Sequence, residues 1–403
     1  MRRMTGRRWL MLAAGIAAQA ATSVVTNGTP YLAPTMRTDL GLSLGHVGVL
    51  VACPLAGAIA TLVAWGAAAD RVGEKRVLVL GVGLCGIIVL ATTVVRGVVP
   101  LGVLLVLAGA ASGSVSSASG RLVLGWFGTR ERGLAMGLRQ TALPLGMGLA
   151  ALILPPLAER WGLYGALPVA GALCVVVALV CAFVLVDPPR PAQRVGDGGA
   201  PTGSPYRKPT LWRVHAASAL LVMPQFTVGA FGLVFLVDVR SWSPATAGQL
   251  LAATQVLGAA SRIGAGYWSD RVGSRLRPMR LLAVGNAVIV ASLGLFAVRP
   301  SWVTATVLVV ASVVTVAGNG LAFTATAELA GPQWAGRALG VQNTAQSMMA
   351  TATPPLVGVL VTVAGSGGSA YAYAFWLAAC FAAAAVPVTP AGAGRSRASR
   401  PSP

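Results

Sequence analysis

Two arginines stand inside otherwise apolar stretches of this 403-residue chain, Arg121 and Arg139. A guanidinium cannot discharge by losing its proton, and placing it in hydrocarbon costs several kcal/mol. Such a group wants a wet cavity and an anion. Amides recur at comparable depth along the chain: Gln19, Gln140, Gln225, Asn319, Gln342, Asn343 and Gln346. Ser112, Ser114, Ser116, Ser117 and Ser119 add a small polar face. Together they are candidates to line one cavity with fixed positive charge, Arg139 and Arg121 capturing an anionic solute. The competing reading of both arginines is helix glue with snorkelling side chains. The acids favour the anion. Asp39, Asp70, Glu74, Glu131, Glu159, Asp187, Asp197, Asp238, Asp270 and Glu328 all fall at span ends or in loops. A carrier of cations is expected to bury a carboxylate at mid-membrane.

The elements that hold these residues are membrane helices. Hydrophobic residues make up 56% of the chain, charged residues only 10%, against about 25% in a soluble domain. The mean hydropathy is +0.75. A bilayer core about 30 Å thick needs roughly 20 apolar residues of helix. Twelve such runs occur, near 9–32, 45–67, 77–95, 99–124, 134–157, 163–186, 213–237, 245–266, 280–298, 302–327, 337–361 and 370–388. Arg2, Arg3, Arg7 and Arg8 ahead of Ala18, Gln19 and Ala20 resemble a signal peptide, but that apolar run continues to Tyr31, too long for one.

The net charge of +20 invites a nucleic-acid reading, which the placement of the charges removes. With alternating spans and a cytoplasmic N-terminus, twenty-two of the 30 basic residues lie on the cytoplasmic side. Five lie outside (Arg37, Arg96, Arg160, Arg240, Arg299) and three within spans (Arg121, Arg139, Arg262). This positive-inside bias puts both termini in the cytoplasm of a multi-pass cell-membrane protein. Arg262, one turn inside its span, reads as a snorkelling side chain. Cys53, Cys85, Cys174, Cys181 and Cys380 are scattered, and only His46 and His215 could join them. No metal site or disulfide framework is expected.

The chain divides in two. Residues 187–212 are rich in proline and glycine and read as a flexible linker. They separate an N-terminal six-helix half, 1–186, from a C-terminal half, 213–390, and 391–403 reads as a disordered cytoplasmic tail. The halves repeat. Gly66, Asp70, Arg71, Gly73 and Lys75 follow the second span, and Gly266, Asp270, Arg271, Gly273 and Arg275 follow the eighth, 200 positions on. Gly137, Gln140 and Thr141 align with Gly340, Asn343 and Thr344 at an offset of 203. Duplicated halves of this kind place a transported substrate near the midplane between them.

The G-x-x-x-D-R-x-G-x-[KR] loop between spans two and three resembles the signature of the major facilitator superfamily, and the copy after span eight resembles its usual second occurrence. The resemblance covers nearly the whole chain. It implies an all-α membrane fold of twelve transmembrane helices in two pseudo-symmetric six-helix halves, a monomer, and alternating access. It further implies that Asp70 faces the start of span eleven and Asp270 the start of span five, holding an inner gate shut. The segment 133–156, with Arg139, Gln140, Thr141, Pro144 and Gly146, is similar to a branch of bacterial permeases grouped with cyanate- and nitrate-type carriers.

The expected function is a secondary active transporter of a small organic, anionic solute. The alternative is a proton-coupled drug or metabolite efflux pump of the same superfamily, of whose span-five pattern Pro144, Gly146 and Gly148 give only a partial echo. The expected partners are the small-molecule substrate, protons as a coupling ion and membrane lipids; no nucleic acid and no cofactor are expected. Gly81, Gly83 and Gly86 match GxGxxG, but inside an apolar span with no strand before it. No cluster of His, Asp, Glu or Cys at one depth suggests an enzyme, and a channel would not need the duplicated gate loop.

Overall fold

The computed structural model describes residues 2–42, 44–188, 204–242, 244–298, 302–365 and 367–391. Most of the expected linker (189–203) and nearly all of the expected tail (392–403) lie outside the described residues, as does Arg299. Among the described residues every regular element is helical.

In the first half the spans are Arg2–Thr26, Leu44–Val72, Glu74–Leu90, Val98–Trp126, a broken fifth (Arg132–Arg139 and Ala142–Trp161) and Leu163–Val184. In the second they are Pro209–Asp238, Pro244–Val272, Leu276–Ala297, a broken tenth (Trp302–Ala317 and Asn319–Ala330), Ala335–Ala364 and Gly368–Val388. The protein thus has twelve transmembrane helices in two pseudo-symmetric six-helix halves. Eleven meet the length and hydropathy of a membrane span. The eighth is less apolar because its polar residues serve protein neighbours: Ser261 donates to the Val313 carbonyl at 3.1 Å, and Arg262 to the Gln140 carbonyl at 3.4 Å.

Spans two and eight run past the hydrophobic limits read from the sequence, to Val72 and Val272. Hydropathy marks the hydrocarbon edge, whereas the backbone helix stops where a residue leaves helical geometry. Gly73 and Gly273, at φ 100° and 65°, provide those stops. Span seven begins at Pro209, inside the expected linker, because a proline at the first helical position costs no hydrogen bond. Asp187, at the linker's start, accepts the backbone N–H of Lys75 at the start of span three (2.8 Å). Asp39 likewise accepts the Leu163 N–H at the start of span six (2.8 Å). Both carboxylates satisfy donors that a helix start leaves free.

The halves meet through glycine. A Cβ at Gly66 would run into the carbonyl oxygen of Gly336, and one at Gly266 into that of Gly133. Spans two and eleven, and spans eight and five, therefore touch backbone to backbone. These crossings share one face with the Gly73 and Gly273 turns, called here the basic face.

Candidate functional site

A cavity of about 290 Å³ opens between the halves. Its wall includes Gln19, Arg139, Gln140, Gln225, Asn319, Asn343 and Gln346, joined by Thr22, Ser23, Asn27, Ser112, Ser116 and Arg262. Apolar area comes from Leu143, Val222, Phe226 and Phe323. Among the described residues no carboxylate and no histidine line it.

Arg139 is 1% exposed and satisfied almost entirely by neutral groups. Its Nε donates to Ser119 Oγ (2.8 Å), one Nη to Gln140 Oε1 (2.7 Å) and the other to the Ser116 carbonyl (2.6 Å). The guanidinium also lies 5.5 Å from the centre of the Phe323 ring. Span four accepts two of these bonds, one through the Ser119 hydroxyl and one through the Ser116 backbone carbonyl.

Arg262 is 6% exposed and far less satisfied. It makes one long donation, to the Gln140 carbonyl, and its Nε is buried without a partner. That carbonyl is free because Pro144, four residues on, has no N–H to offer it. The break at Gln140 and Thr141 in span five follows from the same proline. The sequence reading placed Arg262 in the lipid headgroups. Gly137 packing against its backbone brings span eight close enough for the side chain to turn into the cavity instead.

Amide pairs build the opposite wall. Asn319 donates to Gln225 Oε1 (3.0 Å) and Gln346 to Ser218 Oγ (2.6 Å). Asn319 starts the second segment of span ten, and the break before it falls at Gly318.

Of the arginines and amides expected in the cavity two lie elsewhere, and Ser114, Ser117 and Ser119 are buried away from its wall. Gln342 is fully buried, its Oε1 shared by His215 Nδ1 (2.5 Å) and Thr326 Oγ1 (3.2 Å). The next residue, Asn343, turns inward instead: neighbours on a helix point about 100° apart. His215 Nε2 reaches the Tyr206 hydroxyl (3.2 Å), whose phenol burial pushes up to about 12.

Arg121 is the larger correction. It pairs with Asp70, donates to Glu74 Oε1 (2.7 Å) and reaches the Pro332 carbonyl (2.8 Å) at the basic face. Both carboxylates are 3% exposed in their side chains, so the arginine is drawn to them rather than to the cavity. Asp70 also accepts the backbone N–H groups of Gly336 (2.9 Å) and Arg337 (3.1 Å) at the start of span eleven.

The second half carries a counterpart. Asp270 accepts the N–H groups of Gly133 (3.0 Å) and Leu134 (2.8 Å) at the start of span five. Arg275 pairs with Asp270 (2.5 Å) and Glu328 (3.3 Å) and donates to the Thr129 carbonyl (2.6 Å). The charges are exchanged between the copies. The first takes its arginine from span four and its second acid from the loop, the other its arginine from the loop and its second acid from span ten. Glu328, read in the sequence as a boundary charge, belongs to this cluster. Arg71 and Arg271 are exposed beside it, the latter over the Tyr267 ring.

Duplicated six-helix bundles, a polar cavity at their junction and paired carboxylate clusters bridging them on one face define a membrane carrier. The family model described as Major Facilitator Superfamily matches residues 10–354, and the chain belongs to that family. An uncharacterized MFS-type transporter of Mycobacterium tuberculosis is 42% identical over 386 residues, 96% of this chain and 85% of its own. A gallate transporter of Pseudomonas putida is 25% identical over 291 residues, 64% of each chain. Among solved structures, the MFS proton:xylose symporter XylE superposes with a TM-score of 0.77 over 95% of both chains at 15% identity, a likeness of fold.

Proposed function

We propose that this protein moves a small organic anion across the cytoplasmic membrane by alternating access. The observation that carries this reading is the charge of the cavity, which holds the guanidiniums of Arg139 and Arg262 and, among the described residues, no carboxylate. A buried cation with no acid beside it favours an anion, because the interaction is less screened there than in bulk water. The gallate transporter among its relatives is named for an organic anion, which agrees.

The basic face is the cytoplasmic one, with both termini on that side, as the positive-inside bias requires. The two carboxylate clusters act as latches. With both made, the cavity is shut toward the cytoplasm, so this conformation serves loading from, or release to, the outside. Rocking of the halves breaks the latches and exposes the same cavity inward.

The test is uptake and efflux of a broad metabolite panel by cells with and without the protein. Organic acids should differ between the two, and the difference should vanish in Arg139→Ala. A protein-dependent difference confined to cations or neutral sugars would refute the reading.

A further inference from the structure

We infer that Arg262, not Arg139, is the group that grips the substrate, and that it grips a carboxylate through the fork of its Nε and neighbouring Nη. This rests on the anion reading of the cavity and assigns its working contact.

The two arginines differ in what they lack. Arg139 has neutral acceptors at 2.8, 2.7 and 2.6 Å on all three nitrogens, so its guanidinium is already held and its Nε is fully used. It holds Ser116, Ser119 and Gln140 in place and raises the local potential, which makes it a positioning residue. Arg262 offers the reverse. Its Nε is a buried donor with no partner, and its one bond, at 3.4 Å, is at the limit of a hydrogen bond. An unpaired buried donor is costly, and on a charged group more so. Buried arginine without an acid is kept against stability only when something else completes it.

A carboxylate fits what is missing. Side-on, the guanidinium edge presents two parallel N–H groups that match two carboxylate oxygens. Gln140 ties the site together: its side chain takes Arg139, and its carbonyl, freed by Pro144, takes Arg262. The body of the substrate then lies toward Phe226, Phe323 and the Gln225–Asn319 pair.

The experiment uses the purified full-length chain in detergent and reads Tm in sodium chloride, sodium benzoate, sodium gallate and, as a cationic control, tetraphenylphosphonium chloride at equal ionic strength. For the wild type, the anions should raise Tm and the cation should not. Arg262→Gln should keep or raise the Tm measured in chloride and abolish the rise with anion, weakening binding by roughly 10- to 100-fold. Arg139→Gln should lower the Tm in chloride, having lost three bonds, yet keep an anion-dependent rise. A lower Tm for Arg262→Gln in chloride, or a rise with anion retained in that variant, overturns the assignment. If no anion moves the wild type, the carboxylate assignment is overturned, whatever the Tm of Arg262→Gln in chloride. Stabilisation of the wild type by the cation alone overturns the anion reading itself, and the assignment falls with it.

Discussion

The carboxylate of Asp70 accepts the backbone N–H of Gly336, 2.9 Å away and in the other six-helix half. It is a bond between a side chain at the end of one helix and the positive end of another, worth more than a surface contact because the carboxylate is 3% exposed. Replacing Asp70 with Asn keeps the shape and removes the charge. That carboxylate takes two backbone N–H groups and Arg121, so making it neutral shifts the balance between conformations by at least about 1–2 kcal/mol, and transport should fall by about 10-fold or more. Insertion into the membrane should be unchanged. Uptake normalised to inserted protein measures this, and a wild-type rate in Asp70→Asn would remove the latch from the transport cycle.

Arg121 gives the opposite kind of test. It holds two buried carboxylates, and Arg121→Gln strands Glu74 and leaves Asp70 on its backbone N–H donors. Breaking a buried ion pair from one side costs roughly 3–5 kcal/mol. The variant should therefore show a clearly lower Tm in detergent, unlike Arg262→Gln. Adding Glu74→Gln should recover part of the loss. If the double variant is no more stable than the single, the cluster is not held by this charge balance.

How much of this was legible in the sequence differs from residue to residue. Span number, halves and the duplicated loop were legible because hydropathy and repeats are properties of the chain itself. Membership of spans four and five was legible too for Arg121 and Arg139. Direction around the helix was not. Arg121 points to Asp70 and Arg139 to the cavity, and only packing of spans two and four decides which. Gln342 and Asn343 show the same limit at adjacent positions. Arg262 was missed because hydropathy treats an arginine near a span end as a headgroup ligand, yet Gly137 lets span five approach it. One signal was present and unused. Pro144 announces a free carbonyl at Gln140, and a free carbonyl beside Arg139 in a membrane span calls for a donor.

Close approach of glycines makes a steric prediction. A methyl group at Gly66 would overlap the Gly336 carbonyl, and one at Gly266 the Gly133 carbonyl. Neither neighbour can yield, since both are backbone. Gly66→Ala combined with Gly266→Ala should hold the basic face apart. A cysteine placed at Ser116, on the cavity wall, should then react with a membrane-impermeant maleimide from that face, faster than in the unmodified background by about an order of magnitude. Equal rates in both backgrounds would mean that the crossings do not close the cavity.

Among the described residues the cavity wall contains no Asp, Glu, His or Cys. No side chain there changes charge between about pH 5 and pH 8, since Arg stays protonated throughout. Any proton dependence of loading must then come from the substrate. The arginines bind the ionised carboxylate, and an ordinary carboxylic acid stays almost wholly ionised between about pH 8 and pH 6, so inward movement of benzoate should be flat over that range. Benzenesulfonate has the same ring and an anion that does not titrate in this range. Its uptake should be flat over the same interval. If both anions rise together, the proton binds the protein at a group outside the cavity. His215, buried between Tyr206 and Gln342, is then the residue to replace, with Gln at that position expected to flatten both profiles.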